Sequence, residues 1–266
     1  MKKITFALLL LLSSSLFINP SAQAMTLRIS TPKIQLELTP GETYSGEIVA
    51  ENTESEEVKV RLYLEDWVYS PGGTGEKKFS PRGSTPLSAS NWITFTPSSA
   101  VIAPFGRVTV NYTIKVPKDV KGSYFSVLFF ETIIGKTEDE EGVNVLVAGR
   151  IGSLFLIEIK GSQRQGQIRA VDIQPPQGNE PMRIISQFEN TGNVEVTLGG
   201  NFLIMDAAGK VHARGELVKI YTFPGVSEKG VTQWVGRLAA GEYQALLTYD
   251  LGKGKTLVEE KPFTVG

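Results

Sequence analysis

Cysteine is absent from all 266 residues, and histidine occurs once, as His212. The first absence excludes disulfides and thiolate chemistry. Together the two exclude a Cys/His zinc site, which needs three or four such ligands or carboxylates. No G-x-S-x-G elbow accompanies His212, so a Ser-His-Asp triad has no support in the sequence. A hydrolase would need His212 in a cleft beside a Ser or an Asp. Instead it sits in the alternating segment KVHARGE and reads as an exposed strand residue. Amphipathic 3.6-residue periodicity is missing throughout, so no Gly-rich loop can lead from a strand into a helix to cradle phosphate. Glu65 and Asp66 are adjacent in a strand-like segment and so point to opposite faces, which disfavours a carboxylate dyad. The acidic run Glu138, Asp139, Glu140 and Glu141 lacks the spaced Asp-x-Asp-x-Asp-Gly pattern of a calcium loop. No catalytic residue, metal or cofactor is therefore expected. An excess of either charge is also lacking: 27 Lys and Arg stand against 28 Asp and Glu. That balance argues against nucleic acid or an anionic membrane surface as a partner.

The first residues read as a leader. Lys2 and Lys3 precede an apolar run over 4–12, Asn19 and Pro20 break it, and Ala22-Gln23-Ala24 has the small-x-small form of a cleavage site. A cleaved signal peptide over 1–24 is expected, with the mature chain starting at Met25. The run is too short for a stable span, and no later stretch of about 20 apolar residues offers one. No Cys sits near the cut, so a lipid anchor is not expected. The expectation is a periplasmic or secreted protein whose stability comes from packed cores alone.

Nearly everything after Met25 reads as strand. Val58, Val60, Leu62 and Leu64 alternate with Lys59, Arg61, Tyr63 and Glu65, the period-two signature of a half-buried strand. RVTVNYTIKVP over 107–117 alternates as strictly. Two long Val/Ile/Leu/Phe-rich arms, 122–134 and 143–159, flank a charged tip at 135–142. The second arm is about three times the usual strand length. Trp92 and Trp234 sit in apolar alternation and read as core. Pro71 to Ala89 is a long Gly/Pro/Ser-rich loop, and Trp67 ends a strand beside it. Many short strands with turn signals between them predict antiparallel sandwiches. The fold class expected is all-β: two tandem immunoglobulin-like antiparallel sandwiches after the signal peptide. The boundaries read as 25–160 for the first domain, 161–166 for a polar linker, and 167–266 for the second.

The two halves echo each other. Glu51-Asn52-Thr53 closes a strand and is followed at Val58 by a V-x-V strand; Glu189-Asn190-Thr191 and Val194 repeat this. Gly122-Ser123-Tyr124 opens one later strand and Gly241-Glu242-Tyr243 opens another. Two copies of one sandwich are the economical reading.

The segments TPKIQLELTPGE (31–42), IVAENT (48–53), VKVRLYLEDW (58–67) and IAPFGRVTV (102–110), with the long alternating strand from Val143, resemble the amino-terminal domain of the periplasmic pilus chaperones, the PapD-like superfamily. The stretch 92–130 also resembles exported two-domain proteins that interact with WxL-type surface proteins. The resemblance to the chaperones implies that the last strand of domain one lends alternate apolar side chains to an exported partner by β-strand addition. Val143, Val145 and Val147 occupy that register. It further implies two basic residues in the interdomain cleft that grip a terminal carboxylate, for which Lys33 and Arg150 are the nearest counterparts. Ile157-Glu158-Ile159 stands where the family has Arg-Pro.

The sequence thus points to a non-enzymatic, chaperone-like assembly factor for an exported subunit or surface protein. The alternative is a structural surface-adhesion module that binds cell-wall glycan or another surface protein through the 71–89 loop, with Trp67 as its contact residue.

Overall fold

The computed structural model describes residues 27–138, 144–178 and 180–266. The expected signal peptide, Asp139, Glu140, Glu141 and Val143 all lie outside the described residues. In chain order the first half carries β1 (Leu27–Ile29), β2 (Lys33–Leu38), β3 (Thr43–Asn52), β4 (Val58–Tyr69), β5 (Lys77–Pro81), β6 (Ile93–Thr96), β7 (Ser99–Ile102), β8 (Arg107–Lys115), β9 (Ser123–Glu138) and β10 (Asn144–Ile159). The second half carries β11 (Gly166–Gln174), β12 (Met182–Asn190), β13 (Val196–Asp206), β14 (Val211–Glu216), β15 (Ile220–Thr222), β16 (Ser227–Trp234), β17 (Gly241–Gly252) and β18 (Lys255–Val265). The fold is all-β, as the alternation predicts.

The first half packs a sheet in the order β1-β3-β8-β6 against a sheet in the order β2-β10-β9-β4-β5, with β7 also on β4. The second half repeats this arrangement in smaller form. β11-β12-β16 mirrors β1-β3-β8, β14-β13-β17-β18 mirrors β5-β4-β9-β10, and β15 sits on β13 as β7 sits on β4. The paired Asn residues explain why the sequences echo there. Asn52 donates to Glu56 O at 2.6 Å, Ile102 O at 3.2 Å and Ala103 O at 3.0 Å, and its side-chain oxygen accepts from Glu54 N at 3.0 Å. Asn190 donates to Val194 O at 2.8 Å and Thr222 O at 3.4 Å and accepts from Gly192 N at 3.0 Å. Both are fully buried and satisfy backbone groups that the turn after the strand would otherwise orphan.

One ladder departs from the antiparallel expectation. β1 pairs antiparallel with β3, but β2 runs parallel to β10. The chain sidesteps from one sheet to the other around Pro32 without turning, so β2 keeps the direction of β1. Val58, Val60, Leu62 and Leu64 are buried in the first core, and Trp92 packs against it. Trp234 packs against the second core in the same way. Each fully buried aliphatic side chain stabilises the fold by about 1.5–3 kcal/mol relative to exposure, and alternation delivers one at every second position.

The charged tip expected at 135–142 is partly strand. β9 continues to Glu138, and the register Val145↔Thr137 and Asn144↔Glu138 carries the ladder past Gly135. A bulge between Val147 and Ala148 accommodates the extra residue Ile134 on β9.

Candidate functional site

The long hairpin outruns the sandwich it belongs to. β4 pairs with β9 only from Val127 to Glu131, so β9 beyond that point and β10 before Arg150 form a two-stranded ribbon. On its other edge, β10 meets β2 from Leu154 onward. Among the described residues, 144–152 therefore has one edge without a strand. The direction of the amides on that edge follows from the ladder. Leu154 N donates to Pro32 O at 3.0 Å and Lys160 N to Leu38 O at 2.8 Å, both toward β2, whereas Ile159 N donates to Gly122 O on the β9 side. By strand alternation the amides of Gly152, Arg150 and Ala148 face the free edge.

Side chains on the ribbon are open to solvent. Leu146 is 54% and Val147 40% exposed, and Ile133 beside them is 60% exposed. Ile133, Ala148 and Val101 line an apolar groove of about 650 Å³ on the outer face of the sheet, with Lys59 and Arg61 on its rim. Val145 stands opposite Thr137 in the ladder.

Arg150 lies on the same outer face. Its guanidinium donates to Glu65 at 3.0 Å and to the Tyr63 hydroxyl at 3.3 Å, and it rests 4.1 Å from the Phe129 ring centroid. The Tyr63 hydroxyl donates to Glu131 at 2.6 Å and, with Arg61, holds that carboxyl below the usual range. Lys33 is exposed and pairs in register with Leu154, four residues along β10 from Arg150, or about 13 Å at the rise of a strand. The two residues do not converge.

The cleft between the sandwiches is built from other side chains. It has a volume of about 340 Å³, and Leu156, Glu37, Glu158, Arg164 and Lys253 are among its walls, with neither Lys33 nor Arg150. Lys253 donates to Glu37 and to Glu158 at 2.7 Å each. Those bonds, to Glu158 first, raise its pKa above the ordinary lysine value. Arg164 donates to Glu158 at 2.6 Å and to the Glu195 and Leu251 carbonyls. Each cation in the cleft is matched by a carboxylate of the chain itself. The pairing of an interdomain linker Arg with a hairpin-turn Lys has no sequence signal, because the two meet only once the second sandwich is placed.

Trp67 is a correction. It was expected at the surface beside an open loop, but it is 1% exposed. Its indole N–H donates to Ser126 O at 3.0 Å, and its ring meets Phe125 edge-on at 5.0 Å and Phe223 of the second half at 6.1 Å. The loop that was to flank it is folded down as well. Thr85 N, Ser88 and Ser90 donate to the buried Asp66 at 3.0, 2.7 and 2.5 Å, and the tip of the loop contacts the second sandwich. The period-two pattern placed Trp67 correctly at a strand end but could not show that a second domain covers it.

His212 bonds Asp206 at 2.7 Å, and its ring meets Tyr243 edge-on at 5.4 Å. Asp206 also accepts from the backbone of Ala208 and Lys210 at 3.0 Å each, so the pair staples a hairpin turn. The residues that line the depression beside it include no serine. Among the described residues no group of three or more His, Asp or Glu is placed to hold a metal, and no helix is long and apolar enough to cross a membrane.

No family model matches the sequence, and no curated protein is significantly similar to it. Solved structures are similar in fold. The class 5 fimbriae chaperone CfaA is 13% identical with a TM-score of 0.49, over 88% of this chain and 98% of that one. A chain from a chaperone–tip adhesin complex of CFA/I fimbriae is 12% identical with a TM-score of 0.47, over 89% and 99%. A chain from the complex of the Salmonella enterica SafA pilin with the SafB chaperone is 8% identical with a TM-score of 0.41, over 92% and 99%.

Proposed function

We propose that this chain is an extracytoplasmic, chaperone-like assembly factor that binds an exported protein by β-strand addition along residues 144–152. The observation that carries the reading is the free edge of β10, with amides of Ala148, Arg150 and Gly152 facing outward beside exposed Leu146 and Val147. An unpaired, apolar edge of this length is a template for another strand. Of the proposed register Val143, Val145 and Val147, the exposed Val147 is the member within the described side chains, and it offers the added strand an apolar contact. Lys33, the first residue of β2, stands where that strand would stop, and Arg150 lies on the same face partway along it. A terminal carboxylate would meet Lys33 there without displacing the pairs that fill the cleft. The proposed location is the periplasm or the extracellular space, and no catalytic step is assigned.

The test is site-specific photo-crosslinking in cells from position 146, with position 94 on the exposed face of β6 as the control. One partner captured from 146 and not from 94 is expected. Equal capture from both positions sinks the edge reading. The adhesion alternative is not carried forward, because its contact residue Trp67 is buried between the sandwiches.

A further inference from the structure

The hairpin of β4 and β5 reaches beyond its own sandwich. At its turn, Tyr221 N of the second half donates to Gly73 O at 3.0 Å, and Gly72 N donates to the Glu228 carboxylate at 3.1 Å. Behind the turn, the Tyr69 hydroxyl donates to Glu195 at 3.1 Å, and its ring stacks on Phe223 at 4.8 Å and meets Tyr221 at 5.3 Å. Burial first, and then the Glu195 charge, push the Tyr69 hydroxyl far above the ordinary tyrosine value.

The glycines of this turn differ in what they face. Gly75 has φ +79°, and a Cβ there would stand 2.7 Å from the Tyr221 ring. Gly73 has φ +67°, and a Cβ there would stand 3.2 Å from both Glu228 Cβ and Lys229 O. Gly72 has φ +108°, with nothing within 4 Å of an added Cβ. Turn conformation alone accounts for Gly72. At Gly73 and Gly75 the second sandwich excludes a side chain in addition.

We infer that the Gly72–Gly75 turn is a strap that holds the two sandwiches at one fixed angle, so that they move and unfold as a single body. The competing restraint is the Lys253 pair with Glu37 and Glu158, and the Lys253 side chain is about half exposed at 49%. Exposed pairs of this kind contribute little and weaken with salt. The strap instead closes over an aromatic cluster of buried Trp67, Phe125 and Phe223 with partly buried Tyr69 packed against it. Separately from the strap, β9 joins the second sandwich to the free edge: Ser123 accepts from Glu195 N at 2.8 Å at one end of β9, and the ribbon occupies the other. The angle the strap sets therefore fixes where the second sandwich stands relative to anything bound along 144–152.

The absence of native cysteine makes the test direct. Asn111→Cys and Glu242→Cys put one spin label on an exposed strand position of each sandwich. The otherwise unaltered chain should give one narrow distance distribution and a single calorimetric transition. Gly75→Leu should at least double the width and split the transition in two. Tyr221→Ala empties the same contact from the other side and should do the same even if Gly75→Leu fails to fold. Gly178→Leu, in a turn of the second sandwich at φ +59° with nothing within 4 Å of an added Cβ, carries a backbone penalty away from the strap and should leave the width unchanged. The strap is overturned if Tyr221→Ala keeps the narrow distribution and the single transition, or if Gly178→Leu broadens the distribution as much as Gly75→Leu.

Discussion

Replacing Ala148 with proline separates the edge from the fold. The Ala148 amide faces away from β9, in the same sense as the Leu154 amide that donates to Pro32. Proline removes that donor while leaving the ladder to β9 in place, and edges are where strands tolerate proline. Folding stability should change by less than about 1 kcal/mol. An added strand would lose one hydrogen bond and keep an orphaned carbonyl, a total cost of about 1–3 kcal/mol. The affinity should fall by roughly 5- to 150-fold, at one decade per 1.4 kcal/mol. The assay is calorimetric titration of the purified partner recovered by crosslinking from position 146, with urea unfolding of both proteins as the stability control. Gly149→Pro is the mirror experiment: its amide faces β9, so it should destabilise the ribbon itself. If Ala148→Pro binds as tightly as the unaltered chain, backbone addition at this edge is wrong, whatever the side chains contribute.

Other outcomes follow from the packing. Trp67→Ala should cost about 3–5 kcal/mol in urea unfolding, as expected for truncating a fully buried aromatic; a loss below 1 kcal/mol would contradict its place between the sandwiches. Asn52→Ala and Asn190→Ala should each cost about 1–3 kcal/mol, because buried carbonyls lose their donor, and the cost should be larger for Asn52, which serves three carbonyls. Burial opposes ionisation of Asp66, but hydrogen bonds from Ser90, Ser88 and the Thr85 backbone outweigh it and hold the carboxyl below the ordinary aspartate value. A depressed folded pKa contributes stability that is complete above about pH 3.9 and is lost as pH falls through the folded value. Asp66→Asn should therefore be less stable near neutrality and show a flatter acid limb in unfolding at pH 7, 4 and 3; an unchanged acid limb would show that Asp66 does not titrate in this window. Arg150→Ala should shift stability by no more than about 1 kcal/mol, since its pair with Glu65 is partly exposed, whereas Lys33→Ala should weaken a partner with a free carboxyl terminus and leave an amidated one unaffected, read by titration of the two peptides.

The period-two runs by themselves determined that the chain is all-β, which side chains of β4 are core, and that Trp92 and Trp234 pack inward. They did so because alternation across a pleated strand is a local property that needs no knowledge of the partner strand. The repeated Glu-Asn-Thr was legible for the same reason, since a side chain that caps the turn after its own strand acts within a few residues. Only the tertiary structure decided the parallel seat of β2 on β10, the edge over 144–152 that no strand covers among the described residues, and the match of Arg164 and Lys253 with Glu158 and Glu37. It also decided that Trp67 and the Gly72–Gly75 turn face a second sandwich rather than solvent. Apart from the Arg164–Glu158 pair, these depend on contacts about a hundred residues apart or more, and an apolar strand end or a glycine-rich turn carries the same local pattern whether water or another domain covers it.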